Sequence, residues 1–204
     1  MSRAIRRQES FGQYGLSLVD RLGTYLSRRA ILRHLPRRRD LTILDIGCGY
    51  HATFLRALTP YLAEGVGIDV SIAGELKELP KLTLIESEIG NALPNLENAR
   101  FDVILLISVL EHLWEPGCIL RECHRILKPG GVLLINVPTW RGKSYLEFSA
   151  FRLGLSARTE IEDHKMYYDR RDLWPFMVES GFKPSGIRLR YHKFGLNLFA
   201  VAKK

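Results

Sequence analysis

The chain has no run of eighteen apolar residues, no low-complexity linker and no internal repeat. The first absence argues against a membrane-spanning helix, and the other two against a string of modules. The opening Met1-Ser-Arg-Ala-Ile-Arg-Arg lacks the apolar stretch of a secretory leader, so a cytoplasmic protein is expected. Cysteine is scarce. Cys48, Cys118 and Cys123 are odd in number and lack metal-ligand spacing, which argues against a disulfide framework and leaves no metal expected. Residues 182–204 carry no acid but six Lys and Arg, and residues 1–40 carry ten Arg against three acids. The two ends thus hold about +6 and +7 of a net charge of +8, and the middle is acidic by about −5. Such ends suit RNA or an anionic membrane surface, while arginines on a helix also serve as its solvated face.

What is present is enough apolar material for one sizeable core: 204 residues, 46% of them hydrophobic. Residues 16–35 place Leu18, Val19, Leu22, Tyr25, Leu26, Leu32 and Leu35 near helical spacing, with Arg21, Arg28, Arg29 and Arg33 on other faces. An amphipathic helix is expected there, ended by Pro36. Apolar runs at Thr42–Ile46, Gly65–Asp69, Leu82–Ile85, Phe101–Ile107 and Val132–Val137 alternate with helical or short connecting segments. That alternation predicts a parallel sheet covered on both faces. Glu115–Leu127 reads as a helix stopped by Lys128-Pro129-Gly130-Gly131, and Arg170–Ser180 as a helix closed by Gly181. Ile187–Tyr191 and Leu196–Ala202 form a closing antiparallel pair around Lys193-Phe194-Gly195. One domain is expected, with a helical cap at 1–40, a half of alternating strands and helices at 41–137, an aromatic insert at 138–168, and the last helix and hairpin at 169–204.

The stretch Thr42-Ile43-Leu44-Asp45-Ile46-Gly47-Cys48-Gly49 is the most informative. A buried strand ends in an acid and a glycine turn, and a helix near Ala52 would aim its first amides at a ligand. Gly47-x-Gly49-x-x-Ala52 also fits the loose dinucleotide pattern. Asp45 argues against a pyrophosphate, because a carboxylate there would repel phosphates and welcome a cationic ligand. Asp69 ends the second strand, where an acid can take both ribose hydroxyls.

The Asp-x-Gly-x-Gly motif is followed in order by Asp69, Phe101-Asp102-Val103-Ile104, Ser108-Val109-Leu110-Glu111-His112-Leu113 and Leu127-Lys128-Pro129-Gly130-Gly131. This series resembles the class I S-adenosylmethionine-dependent methyltransferases, especially the small-molecule group of ubiquinone and menaquinone biosynthesis. The resemblance implies a Rossmann-like α/β/α sandwich whose seven-stranded sheet is mostly parallel with an antiparallel last strand. It implies S-adenosylmethionine as methyl donor and S-adenosylhomocysteine as product. Carried over by position, Asp45, Gly47, Cys48 and Gly49 cradle the methionine part, Asp69 holds the ribose, and Val70 lies against adenine. Glu88 or Ile89 meets the adenine amino group, and Ser108 and Val109 approach the methionine end. His51 stands where the family often has a third glycine.

Methyl transfer is an in-line displacement, so alignment and water exclusion are the main tasks, and a hydroxyl acceptor also needs a base. His112 and His164 are the candidate bases, with Tyr167 lining the pocket. By resemblance the acceptor site is built from Phe11–Leu35 and Trp140–Tyr168. Trp140, Tyr145, Phe148, Phe151, Leu153 and Leu155 are candidates for an apolar lid over a lipid-linked, aromatic or sugar acceptor, with peripheral membrane contact through the arginines. The alternatives are an RNA or protein acceptor held by the basic ends, although the Asn/Asp-Pro-Pro-aromatic motif of many amino-directed enzymes is missing, or a regulatory protein that binds the cofactor without turnover.

Overall fold

The computed structural model describes residues 10–13, 15, 17–144 and 164–204. Seven strands form one sheet: β1 Leu41–Ile46, β2 Leu62–Asp69, β3 Leu82–Glu86, β4 Phe101–Ile107, β5 Leu127–Pro138, β6 Ile187–His192 and β7 Asn197–Lys203. Their order is β3-β2-β1-β4-β5-β7-β6, and β7 is antiparallel to both neighbours while the other pairs are parallel. The expected mostly parallel sheet with an antiparallel last strand is what forms. Every residue of β4 is buried, which is why its sequence is apolar throughout apart from Asp102. Each such Leu or Ile contributes about 1.5–3 kcal/mol relative to an exposed position.

Alternation along the strands divides the core between the two faces. Leu44, Ile46, Ile104, Leu106, Leu133 and Ile135 point to one, with Leu120, Leu173 and Met177 of the helices α4 Pro116–Ile126 and α5 Arg170–Glu179. Ile43, Val103, Leu105, Val132 and Leu134 point to the other, with Ala30 and Ile31 of α1 Leu18–His34 and Leu55 of α2 Thr53–Ala57. The helix α3 Ile89–Ala92 is a single turn after β3. Among the described residues, no helix is long and apolar enough to cross a membrane.

Three expectations are corrected. First, α1 packs through its C-terminal half only; Val19, Leu22 and Tyr25 are exposed, so the apolar stripe is wider than the buried one. Second, Lys128-Pro129-Gly130-Gly131 does not precede the fifth strand but lies within it. Phe101 pairs with Leu127, and the register then shifts so that Val103 pairs with Val132. Gly130, at φ 78°, absorbs the irregularity. Third, α2 has only five residues, and Ala52 before it is left-handed at φ 45°. The helix expected near Ala52 is therefore little more than one turn.

The amino ends of the central strands are tied by Asp102. Its carboxylate accepts from Arg38 Nη2 at 2.5 Å, Lys128 Nζ at 3.0 Å and the Thr42 amide at 2.8 Å. The carboxyl ends are left for chemistry, and β1 and β4 diverge there from the point where the strand order reverses.

Candidate active site

The turn after β1 is built by hydrogen bonds to its neighbour strand. The amides of Gly47 and Cys48 both donate to the carbonyl of Ile68, at 2.8 and 3.1 Å. Gly47 and Gly49 have φ of 71° and 76°, a left-handed backbone that a side chain disfavours. A Cβ at either glycine would also crowd neighbouring protein atoms. A Cβ on Gly47 would lie 2.4 Å from Val109 Cγ2, and one on Gly49 3.1 Å from the Phe11 carbonyl oxygen. That carbonyl accepts from the Tyr50 amide at 3.0 Å, so the segment preceding α1 lies across the turn. Cys48 packs its thiol against Gly67, where a Cβ would come within 3.0 Å of Sγ. Burial pushes that thiol's pKa up, so it is no thiolate nucleophile.

Two carboxylates flank the turn. Asp69 Oδ2 accepts the Gly49 amide and Oδ1 its own neighbour's amide at Val70, both at 2.8 Å. A carboxylate oxygen accepts more than one hydrogen bond, so Asp69 retains capacity for a diol. Asp45 is wholly buried and neither oxygen has a hydrogen-bond partner. Burial first, then the charge of Asp69, pushes its carboxyl up to about 8, with the Leu55 amide opposing weakly.

Across the crevice, Ser108 ends β4 exposed and left-handed at φ 58°, its amide donating to the Asn136 carbonyl at 2.7 Å. A short turn, Leu110–His112, follows. Its Glu111 carbonyl accepts the amides of Lys165 and Met166 at 2.6 and 3.3 Å, and its Leu110 carbonyl accepts the Tyr168 hydroxyl at 3.2 Å. Those bonds carry His164 onto His112, the rings meeting edge to face with centroids 4.8 Å apart. His164 Nδ1 lies 3.1 Å from the Tyr167 hydroxyl, and Trp140 tilts against the Tyr167 ring at 5.6 Å. Glu111 is 2% exposed with Oε2 unpartnered, and burial pushes its carboxyl up to about 8. Lys193, from the turn between β6 and β7, faces Glu111 and Asp20; burial pushes its ammonium down to about 8.

Residues 18–185 match a family model described as a methyltransferase domain. The chain belongs to the class I S-adenosylmethionine-dependent methyltransferase family. Over 115 residues it is 31% identical to the ubiquinone biosynthesis O-methyltransferase of Pseudomonas paraeruginosa, covering 52% of this chain and 47% of that protein. Over 112 residues it is 31% identical to the protein of the same description from Alkalilimnicola ehrlichii, covering 51% and 44%. The chain thus spans about half the length of the curated relatives it matches. Its fold matches the crystal structure of a SAM-dependent methyltransferase from Archaeoglobus fulgidus, with a TM-score of 0.65 at 15% identity over 88% of this chain and 94% of that one.

In this methyltransferase the residues expected to bind the cofactor lie at or just beyond the carboxyl ends of β1, β2, β3 and β4. Gly47 touches Val109, Asp69 holds Gly49, and the Ser87 amide donates to the Asp69 carbonyl at 2.9 Å, which brings Glu88 and Ile89 to the same strand ends. Glu88 is exposed, whereas Ile89 packs partly against the core. His51 is half-buried and meets the Tyr50 ring edge-on at 5.0 Å. Tyr145, Phe148, Phe151, Leu153 and Leu155 lie outside the described residues. Sequence reasoning gave no role to Glu111 or Lys193. Glu111 stood in a quoted motif without a role, and its burial carried no periodic signal. The placement of Lys193 depends on how the final hairpin folds back toward α1, where its ammonium would lie 3.5 Å from a Cβ on Gly23.

Proposed function

We propose that this methyltransferase moves a methyl group from S-adenosylmethionine to a hydroxyl oxygen of a small acceptor that is lipid-linked, aromatic or a sugar. The observation that carries the reading is the pair Asp45 and Asp69 set around a left-handed glycine turn at the point where the strand order reverses. The residues fit that donor. Asp45 is a buried carboxylate without a hydrogen bond, and an ammonium is the group that would compensate it. Asp69 retains acceptor capacity for a ribose diol, and Val70, Glu88 and Ile89 are the candidates for the adenine side. S-adenosylmethionine supplies the electrophilic methyl on a sulfonium.

The chain's own task is to place the acceptor oxygen in line and to keep water away. Ser108 and Val109 stand between the turn and the cluster of His112, His164 and Tyr167, which is where an acceptor proton would be received. Tyr167 at Nδ1 of His164 holds that ring in place, and Trp140 backs Tyr167. The relatives named as ubiquinone biosynthesis O-methyltransferases support an oxygen acceptor on a small molecule. The experiment is transfer of radiolabelled methyl into fractionated extract of the source organism. Label is expected in a small-molecule fraction with the wild type and not with Asp69→Ala; equal labelling by both would remove the proposed donor site.

The exposed arginines of α1, Arg21, Arg28, Arg29 and Arg33, favour one second reading, an RNA acceptor. Under it, label would enter RNA and affinity would fall steeply with salt. A flat salt response with unlabelled RNA would dismiss it.

A further inference from the structure

We infer that Glu111, His112 and His164 form a binding site for one first-row divalent cation, on the acceptor side of the crevice. The donor atoms of the three side chains all lie within 4.8 Å of one another. Ions of this class bind nitrogen and oxygen at about 2.0–2.2 Å, which places tetrahedral donors about 3.4 Å apart, so modest side-chain rotations close the set. Two imidazoles and a carboxylate suit zinc, cobalt or iron better than magnesium or calcium, and three protein ligands leave positions open.

Two further features make this a built site and not a chance meeting of polar side chains. Glu111 is buried with Oε2 unpartnered, and no hydrogen bond from Lys193 reaches that oxygen. A bound cation is a partner that such a buried oxygen could take. The backbone also fixes the geometry from two distant segments. The amides of Lys165 and Met166 both donate to the Glu111 carbonyl, so His164 is pinned to the turn that carries its two partners. Tyr167, at Nδ1 of His164, is placed as the outer partner that ligating histidines use to fix ring orientation. No local spacing marks this set, because His164 lies more than fifty residues after His112.

The purpose of the ion rests on the proposed methyl transfer, but its binding does not. With the ion bound, His112 and His164 would act as ligands in place of bases: a hydroxyl oxygen of the acceptor taking an open position would release its proton to solvent at lower pH, and the ion would hold the resulting oxyanion beside Ser108 and Val109. An acceptor with two neighbouring oxygens would chelate best, which narrows the candidates to catechol-like or vicinal-diol groups.

The test is titration of chelator-stripped full-length protein with Co(II), read by its visible d–d absorption, with S-adenosylhomocysteine affinity measured on the same samples. One equivalent of Co(II) should bind saturably and be displaced by Zn(II). Affinity should fall about tenfold or more in Glu111→Gln and in His164→Ala while both keep S-adenosylhomocysteine binding. Asp69→Ala should do the reverse, keeping Co(II) and losing the nucleoside. Absence of a saturable band in the wild type, or unchanged Co(II) affinity in both Glu111→Gln and His164→Ala, overturns the inference. Co(II) binding without any S-adenosylhomocysteine binding would support the cation site and count against the donor site alone.

Discussion

Gly47 shows how a single missing atom sets the crevice. Its φ of 71° and the 2.4 Å approach that a Cβ would make to Val109 are separate demands. Gly47→Ala should therefore cost about 1–3 kcal/mol in denaturant unfolding, and Gly47→Ala with Val109→Ala should recover only the steric part. Asp45 makes a second prediction at this scale. Its folded pKa of about 8 lies above the ordinary 3.8, so the folded chain keeps a proton that the unfolded chain releases. Stability from this group is fully present below about pH 4, falls as pH rises, and levels off above about 8. Glu111 adds a slope of the same sign over the same range. Asp45→Asn stays neutral, so ligand-free Asp45→Asn should match the wild type near pH 5 and exceed it near pH 8. The gain should be about 4 kcal/mol, or roughly 8–16 °C, in thermal unfolding scans. The same variant should bind S-adenosylhomocysteine more weakly, since it removes the charge proposed to face the ammonium.

At the scale of elements, the segment after β5 is held by Thr139. Its amide donates to the Leu196 carbonyl at 2.9 Å, its hydroxyl donates to the Gly195 carbonyl at 2.8 Å, and the same oxygen accepts the Gly142 amide at 3.0 Å. A Cβ on Gly142 would meet the Leu196 carbonyl oxygen at 2.1 Å. Gly142→Ala must therefore push this helical start off the β6–β7 turn, and with it Trp140 from Tyr167. Methyl transfer should fall while S-adenosylhomocysteine affinity, measured by calorimetry, stays near wild type. The split follows because Trp140 stands on the acceptor side. Strands were legible in the sequence wherever burial on both faces left a continuous apolar run, as in β1 and β4. The length of α2 was not, because one left-handed alanine decides where it starts. Nor was the exposed half of α1, whose Val19, Leu22 and Tyr25 keep helical spacing without a surface to cover them among the described residues.

Across the whole molecule, the two ends of the sheet divide the work. Asp102 fastens Arg38, Lys128 and the Thr42 amide at the amino ends, while the carboxyl ends carry the glycine turn, the acids and the histidines. Asp102→Ala should lower global stability by about 1–3 kcal/mol in denaturant titration and leave cofactor affinity unchanged, because it acts at the opposite end. The donor half of the site was legible because its residues are consecutive and carry an ordered series of motifs. The acceptor half was legible only as separate names. His112 and His164 were expected, but their meeting, and the part played by Glu111 and Lys193, depend on segments that only tertiary hydrogen bonds bring together. A shallow hollow of about 480 Å³ lined by Arg170, Arg171, Trp174, Pro175 and Leu189 lies at the β6 edge and has no part in this arrangement. The central claim is that the acid-flanked glycine turn binds the methyl donor and not a dinucleotide. Calorimetric titration of the wild type with S-adenosylhomocysteine and with NAD tests it directly. The account predicts saturable one-to-one binding of S-adenosylhomocysteine, weakened roughly 10- to 100-fold by Asp69→Ala, and no heat of binding with NAD. Saturable binding of NAD with none of S-adenosylhomocysteine would contradict it.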